Sequence, residues 1–211
     1  VRHLKIAALA SGSGSNLQSI LDAIDAGSID AEVSVVVASK PNIPVLDRAA
    51  RYGIPVVIIP RKQYRDDIEN FSLAIEEALA PLGIDLVVLC GFLSFLSERF
   101  CNIFAGRLLN IHPSLLPAFG GHGAYGMKVH RLALAHGVKI SGCTVMFVDQ
   151  GQDTGPIIVQ KSVPVLEDDT EESLATRVME AEQQAYPEAI RLFGEGRLQI
   201  VDNRVRISRK D

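Results

Sequence analysis

The chain has 211 residues, of which 47% are hydrophobic and 22% charged, so a single α/β domain with a substantial core is expected and a disordered chain is excluded. A formal charge of -4 supplies no basic field, which argues against nucleic acid and anionic membrane as partners and leaves small molecules. Cys90, Cys101 and Cys143 fit no CxxC spacing, and neither a cleavable leader nor an apolar run of membrane-spanning length is evident, so reduced, buried thiols and a cytoplasmic location are expected.

Apolar runs at 4–10, 32–38, 55–59 and 84–90 are rich in Val, Ile and Leu and read as parallel strands covered on both faces. Helices are expected over 15–26, 43–52 and 66–82. In the last, Phe71, Ile75, Ala78 and Leu79 share one face. Gly27, Gly53 and Gly83 stand just past these helices, where glycine is favoured as a stop. The alternation predicts an α/β fold: a doubly wound, mostly parallel sheet with helices on both faces and right-handed crossovers. Such sheets bind ligands beyond the carboxyl ends of their strands, which directs attention to 11–16, 91–96 and 110–126. The third segment holds Gly120, Gly121, Gly123 and Gly126 without helical period and reads as a mobile binding loop. Runs at 140–148 and 156–165 flank a turn-rich stretch and suggest an antiparallel pair. A helix over 170–193 is capped by Thr170 or Asp169 and should kink or split at Pro187. Residues 198–201 and 204–207 bracket Asp202-Asn203 as a hairpin, giving an antiparallel C-terminal extension. With no repeat or linker, 1–211 reads as one domain.

Three polar constellations follow strands. Ser-Gly-Ser-Gly-Ser-Asn at 11–16 opens the first helix, where small residues let backbone N–H groups approach an anion. It lacks the lysine of a Walker loop, and Leu17 stands where a dinucleotide loop has its third glycine. It reads as a phosphate cradle or as a tight turn. In 108–117, alternation puts Asn110 and His112 on one side of an extended segment held by Pro113 and Pro117. A carboxamide beside an imidazole suits oxyanion stabilisation and proton transfer, and a hydrogen-bonded core histidine is the alternative. Asp153 is either a turn former or a carboxylate that orients His112. His122, His130 and His136 match no metal-ligand spacing, and no metal is expected. Cys143 reads as a structural thiol, and the acidic cluster at 167–172 as a solvated helix start.

Taken together, the segments GSGSNLQ (12–18), CGFLSFL (90–96), GRLLNIHPSLLP (106–117) and DTGPII (153–158) resemble the folate-dependent phosphoribosylglycinamide formyltransferases, over about residues 4 to 200. The resemblance implies formyl transfer from 10-formyltetrahydrofolate, a co-substrate and not a resident cofactor, to the amine of phosphoribosylglycinamide (GAR). It implies a catalytic trio of Asn110, His112 and Asp153. Gly14, Ser15, Asn16, Pro113 and Glu182 would contact GAR. The folate would lie against Leu93, Ser94, Phe95, Leu96, Leu108, Asn110, Val148 and Asp149, with Arg65 reaching toward it. The phosphate-binding half would be about 1–105 and the catalytic half about 106–211, in a monomer or homodimer. Two departures stand out: many relatives have His at Met146 and Arg at Ser94. A transfer-RNA formyltransferase would need a further basic domain, and a formyltetrahydrofolate hydrolase a regulatory one. A nicotinamide-dependent reductase would end its second strand on an acidic residue, where this chain has Ala38-Ser39-Lys40. A non-catalytic folate or phosphosugar binder is the remaining alternative.

Overall fold

The computed structural model describes residues 3–209, and in it seven strands form one sheet of order β3-β2-β1-β4-β5-β6-β7. The strands β1 (Leu4–Ala10), β2 (Ala31–Ala38), β3 (Val56–Ile58), β4 (Leu86–Cys90) and β5 (Leu108–His112) are parallel. Antiparallel β6 (Ile140–Phe147) and β7 (Ile157–Pro164) complete it, so the expected pair extends the main sheet. The hairpin β8 (Leu198–Val201) and β9 (Arg204–Ile207) forms a separate two-stranded sheet.

Period-two alternation sorts the side chains into two cores. Leu4, Ile6, Ala8 and Ala10 of β1, Leu86, Val88 and Cys90 of β4, and Leu109 and Ile111 of β5 face one way. They pack under α1 (Ser15–Asp25), α2 (Val45–Arg51), α5 (Met127–Ala135) and α6 (Glu171–Gly194). Ala7, Leu9, Val87, Leu89 and Leu108 face the other way, onto α3 (Ile68–Leu79) and α4 (Glu98–Ile103). Full burial of a side chain such as Phe71 or Ile75 on this second face contributes about 2–3 kcal/mol each.

The helix boundaries have local causes. Asp67 caps α3 by accepting from Asn70 N at 2.9 Å, so that helix starts two residues later than its periodicity suggests. It ends at Leu79 because Pro81 continues only as a 3-10 turn, closed by Gly83 at φ 62°. On α3 the buried face is Phe71, Ser72, Ile75 and Leu79, and Ala78 lies at its edge. Thr170 caps α6 in a reciprocal box with Ser173, while Asp169 instead takes the Arg177 guanidinium. Contrary to expectation, α6 is not split at Pro187. The carbonyl that loses its partner belongs to exposed Gln183, on the solvent side of the helix, and Ala185, Tyr186, Ala189 and Ile190 bury the opposite face. Strand β3 also departs from the buried-strand reading. It is a three-residue edge with Val56 and Ile58 exposed to 37% and 44%. Helices α4 and α5 carry no sequence pattern that predicts them. No helix among the described residues is long and apolar enough to cross a membrane.

Candidate active site

The switch point of the sheet lies between β1 and β4, and the loops that follow β1, β4 and β5 meet there. Gly14 caps α1 with φ 72°, a left-handed conformation that leaves the first N–H groups of the helix pointing outward. Ser15 is its first residue. The loop is tied on both sides. The Ser11 hydroxyl accepts from Leu93 N at 3.0 Å and lies 2.7 Å from Ser39 Oγ, so β1, β2 and the turn after β4 are joined. Arg48 of α2 donates from Nε to Ser13 O at 2.8 Å and from Nη1 to Gln18 Oε1 at 2.9 Å. This guanidinium beside the glycine loop was not legible in the sequence, because 32 residues separate it from Asn16.

Asn16, 7% exposed, donates from Nδ2 to Glu182 Oε2 at 3.3 Å, which brings α1 and α6 together across 166 residues. Its Oδ1 is buried with no partner among the described residues. Burial pushes the Glu182 carboxyl up to about 7, and the Asn16 amide offsets only part of that. An unpaired acceptor and a costly carboxylate side by side form a site that lacks hydrogen-bond donors.

Asn110 and His112 project from β5 on the face opposite Leu109 and Ile111, as the alternation requires. His112 is 5% exposed. Its Nε2 lies 2.9 Å from Phe119 O; a carbonyl only accepts, so Nε2 carries a proton. Its Nδ1 lies 3.4 Å from Asp153 Oδ2, longer than an ordinary hydrogen bond but within ion-pair range. The same Asp153 oxygen accepts from Gly121 N at 3.0 Å. Asp153 therefore joins His112 to the 118–126 loop, and it does so from a left-handed backbone at φ 56°. The turn that carries it is closed by Asp149, whose Oδ1 accepts from Gly151 N at 2.9 Å and Thr154 Oγ1 at 2.8 Å. The Asn110 carboxamide makes no hydrogen bond among the described residues and is free to meet a ligand.

The segment after His112 is fixed from β6 and β7. Buried Thr144 donates to Ser114 O at 2.7 Å and accepts from Leu116 N at 3.0 Å, and Gln160 donates to Leu116 O at 3.0 Å. Ser114 closes the turn onto Ala118 O at 2.6 Å, and Pro113 is half-buried between them. The glycine-rich loop, expected to be mobile, is thus anchored at Ala118, Phe119 and Gly121.

The proposed folate residues separate into two groups. Leu93 and Phe95 are exposed to 58% and 56%, far more than a soluble surface favours, and alternate with half-buried Ser94 and Leu96. Val148 and Asp149 line a cavity of about 330 Å³ together with Cys101, Gly106 and Pro156, beside the turn that holds Asp153. Leu108 has no exposed surface and lies beneath this region, its carbonyl accepting from Val148 N at 2.8 Å. Arg65 sits at φ 47° in an exposed turn, and its carbonyl accepts from Arg61. That turn reaches the site region through Arg61 over Phe71, which stacks on Phe92 at 6.2 Å. Met146 is 1% exposed, so the position where many relatives carry His is here a core position paired with Asn110 across β5 and β6.

Cys143 is no candidate nucleophile, since burial pushes its thiol up to about 12. His130 is 5% exposed, and burial lowers its pKa, so it is neutral in the core of α5. Among the described residues no cluster of His, Cys, Asp or Glu could hold a metal ion.

A hydrogen-bond-donating imidazole, a free carboxamide and an orienting carboxylate, next to a glycine-capped helix start, fit acyl transfer to a phosphorylated substrate. Residues 4–190 match the family description "Formyl transferase". The chain belongs to this family. It is 40% identical over 199 residues to the phosphoribosylglycinamide formyltransferase of Haemophilus influenzae, covering 94% of this chain and 91% of that one. It is 41% identical over 199 residues to the chloroplastic phosphoribosylglycinamide formyltransferase of Vigna unguiculata, again covering 94% of this chain. The chain spans only 63% of the length of that Vigna relative. Among solved structures, glycinamide ribonucleotide transformylase 1 of Symbiobacterium toebii superposes with a TM-score of 0.91 at 46% identity, covering 97% of this chain and 94% of that one. This formyl transferase therefore shares its overall fold with the protein of that name.

Proposed function

We propose that this formyl transferase moves the formyl group of 10-formyltetrahydrofolate to the amine of GAR, in purine biosynthesis. The observation that carries the reading is the convergence of Asn110, His112 and Asp153 at the carboxyl edge, beside a glycine loop with outward N–H groups. The phosphate sits on the N–H groups of Gly14, Ser15 and Asn16, and the sugar hydroxyls supply the donors that Asn16 Oδ1 and Glu182 lack. The pterin lies over Leu93 and Phe95 and reaches the Val148–Asp149 turn. The GAR amine attacks the formyl carbon, and its N–C bond forms as the carbonyl π pair moves onto oxygen; the C–N10 bond breaks when that oxyanion collapses, and the proton lost by the amine ends on folate N10. His112 Nε2–H and the Asn110 amide hold the oxyanion of the tetrahedral intermediate, each worth about 3–4 kcal/mol. The Nε2 proton now given to Phe119 O is the one redirected to that oxyanion. Asp153 faces Nδ1 and orients the ring. The deciding experiment mixes the purified protein with both substrates and follows deformylation of the folate; no GAR-dependent turnover would refute the reading.

Two substitutions separate the roles. A Cβ on Gly14 would fall 2.6 Å from Val45 Cγ2 in a left-handed backbone, so Gly14→Ala displaces the loop. It should lower stability by about 1–3 kcal/mol and raise KM for GAR about ten-fold with KM for the folate unchanged, as steady-state kinetics and thermal unfolding would read. Asp153→Asn keeps an oxygen for Gly121 N but removes the charge facing His112. A loss of about 100-fold in kcat is expected, with both KM values preserved. An unchanged kcat would make Asp153 a turn residue only.

A further inference from the structure

Tyr186 takes no part in the steps above, yet it heads the large side chains that the fold buries completely. It enters the core from α6, against the face formed by Val88, Cys90, Leu109 and Ile111. Its hydroxyl lies 3.0 Å from Leu89 O and 3.0 Å from Leu109 O, donating one shared proton to carbonyls on neighbouring strands. Leu89 and Asn110 form the last rung on which β4 and β5 pair. Beyond it β4 turns off at Gly91, with φ 65°, while β5 runs on to His112. A buried phenol needs one acceptor, and this one is placed where two strands part. Burial also holds its pKa well above the ordinary tyrosine value, so the hydroxyl stays a donor throughout the working pH range.

We propose that Tyr186 is a positioning residue for formyl transfer: its shared hydrogen bond locks the last β4–β5 rung and thereby aims the Asn110 carboxamide. The carbonyl of Leu109 and the N–H of Asn110 belong to one planar peptide unit. Fixing that oxygen holds the plane from which the Asn110 N–Cα bond leaves, and the extended φ of β5 then sets the direction of its Cα–Cβ bond. The carboxamide has no hydrogen bond of its own among the described residues, so its aim is set from the backbone. Glu182 lies four residues earlier on α6 and shares a helix face with Tyr186. One side chain therefore ties the helix bearing the proposed sugar contact to the strand bearing the proposed formyl contact. The inference rests on the reading of Asn110 as a donor to the formyl oxygen.

The test is a double-mutant cycle on the full chain, with GAR and 10-formyltetrahydrofolate, at a temperature where every variant is folded. Y186F is expected to lower kcat about ten-fold with both KM values within about two-fold, and to have no further effect in an N110A background. A merely structural tyrosine would lower the unfolding temperature and leave kcat alone, so wild-type kcat in Y186F overturns the proposal. Multiplying losses in Y186F/N110A overturn it too, because the two residues would then act independently. Wild-type turnover in N110A alone would instead refute the role of Asn110. Should Y186F be too unstable to assay, amide exchange in the wild-type protein decides. A locked rung exchanges at Leu89 and Ile111 only through global unfolding, and exchange there by local opening overturns the assignment.

Discussion

Replacing His112 with alanine is expected to lower kcat for formyl transfer by about 10²–10³-fold, with KM for the folate changed little. The imidazole is 5% exposed, and its protonated Nε2 is held against Phe119 O, so the ring is fixed in place and one hydrogen bond is exchanged as the oxyanion forms. A donor that reaches the oxygen only as its charge develops stabilises the transition state more than the bound substrate, which is why its loss falls on kcat. Asn110→Ala should lose a similar factor without touching any hydrogen bond of the folded protein. His112→Ala also leaves Phe119 O without its donor and should cost about 1–3 kcal/mol of stability, loosening the loop anchored there. Because both donors serve one oxyanion, the double variant should lose less than the product of the two factors. Steady-state kinetics with thermal unfolding as control checks all three. Near-wild-type kcat in either single variant would remove that residue from the oxyanion site.

Glu182→Gln should show opposite effects on stability and function. The folded carboxyl titrates near about 7, against 4.5 for an ordinary glutamate, because burial disfavours its charged form. Between those values the folded chain holds a proton that the unfolded chain has released. Stability therefore falls as pH rises through this window, and the full penalty, at most about 3 kcal/mol, is present above 7. Gln carries no charge and escapes the penalty. At pH 5 the variant and the wild type should unfold at nearly the same temperature, whereas at pH 8 the variant should gain about 5–10 °C. An equal difference at both pH values would show that charge burial is not the cause. The same substitution should raise KM for GAR about ten-fold or more above pH 7, because a carboxylate accepting sugar hydroxyls is replaced by a neutral amide. In the wild type, KM for GAR should rise as pH drops below 7 and the acceptor is protonated. The protein thus retains an unfavourable burial at the point where its proposed substrate supplies the missing donors.

Strands and helices were legible where one period dominated. The runs at 4–10 and 84–90 could only be buried strands, and α3 showed its apolar face in Phe71, Ile75 and Leu79. Legibility failed where elements were short or where context overrode a local rule. Six-residue α4 buries only Phe100 and Cys101, too few positions to show a period. Pro187 breaks helices in isolation, but buried Tyr186 and Ala189 on either side hold α6 continuous. In β3 a Val-Val-Ile run spelled a central strand and turned out to be an edge, since neighbours across a sheet are not encoded in a strand's own residues.

By itself the sequence determined the class of fold, the glycine-serine turn at 11–16 and the common side of Asn110 and His112, because each depends on residues within a few positions of one another. Only the tertiary structure decided the contacts between distant segments. It set Asp153 at 3.4 Å from His112 across 41 residues, with its oxygen shared with Gly121. It joined Asn16 to Glu182 and left Asn16 Oδ1 unpaired, and it brought Arg48 to the glycine loop and Tyr186 to the last rung of β4 and β5. Periodicity fixes which way a side chain points from its own element. What it meets there depends on how the elements pack, and burial, which follows from packing alone, is what moves the Glu182 carboxyl to neutral pH.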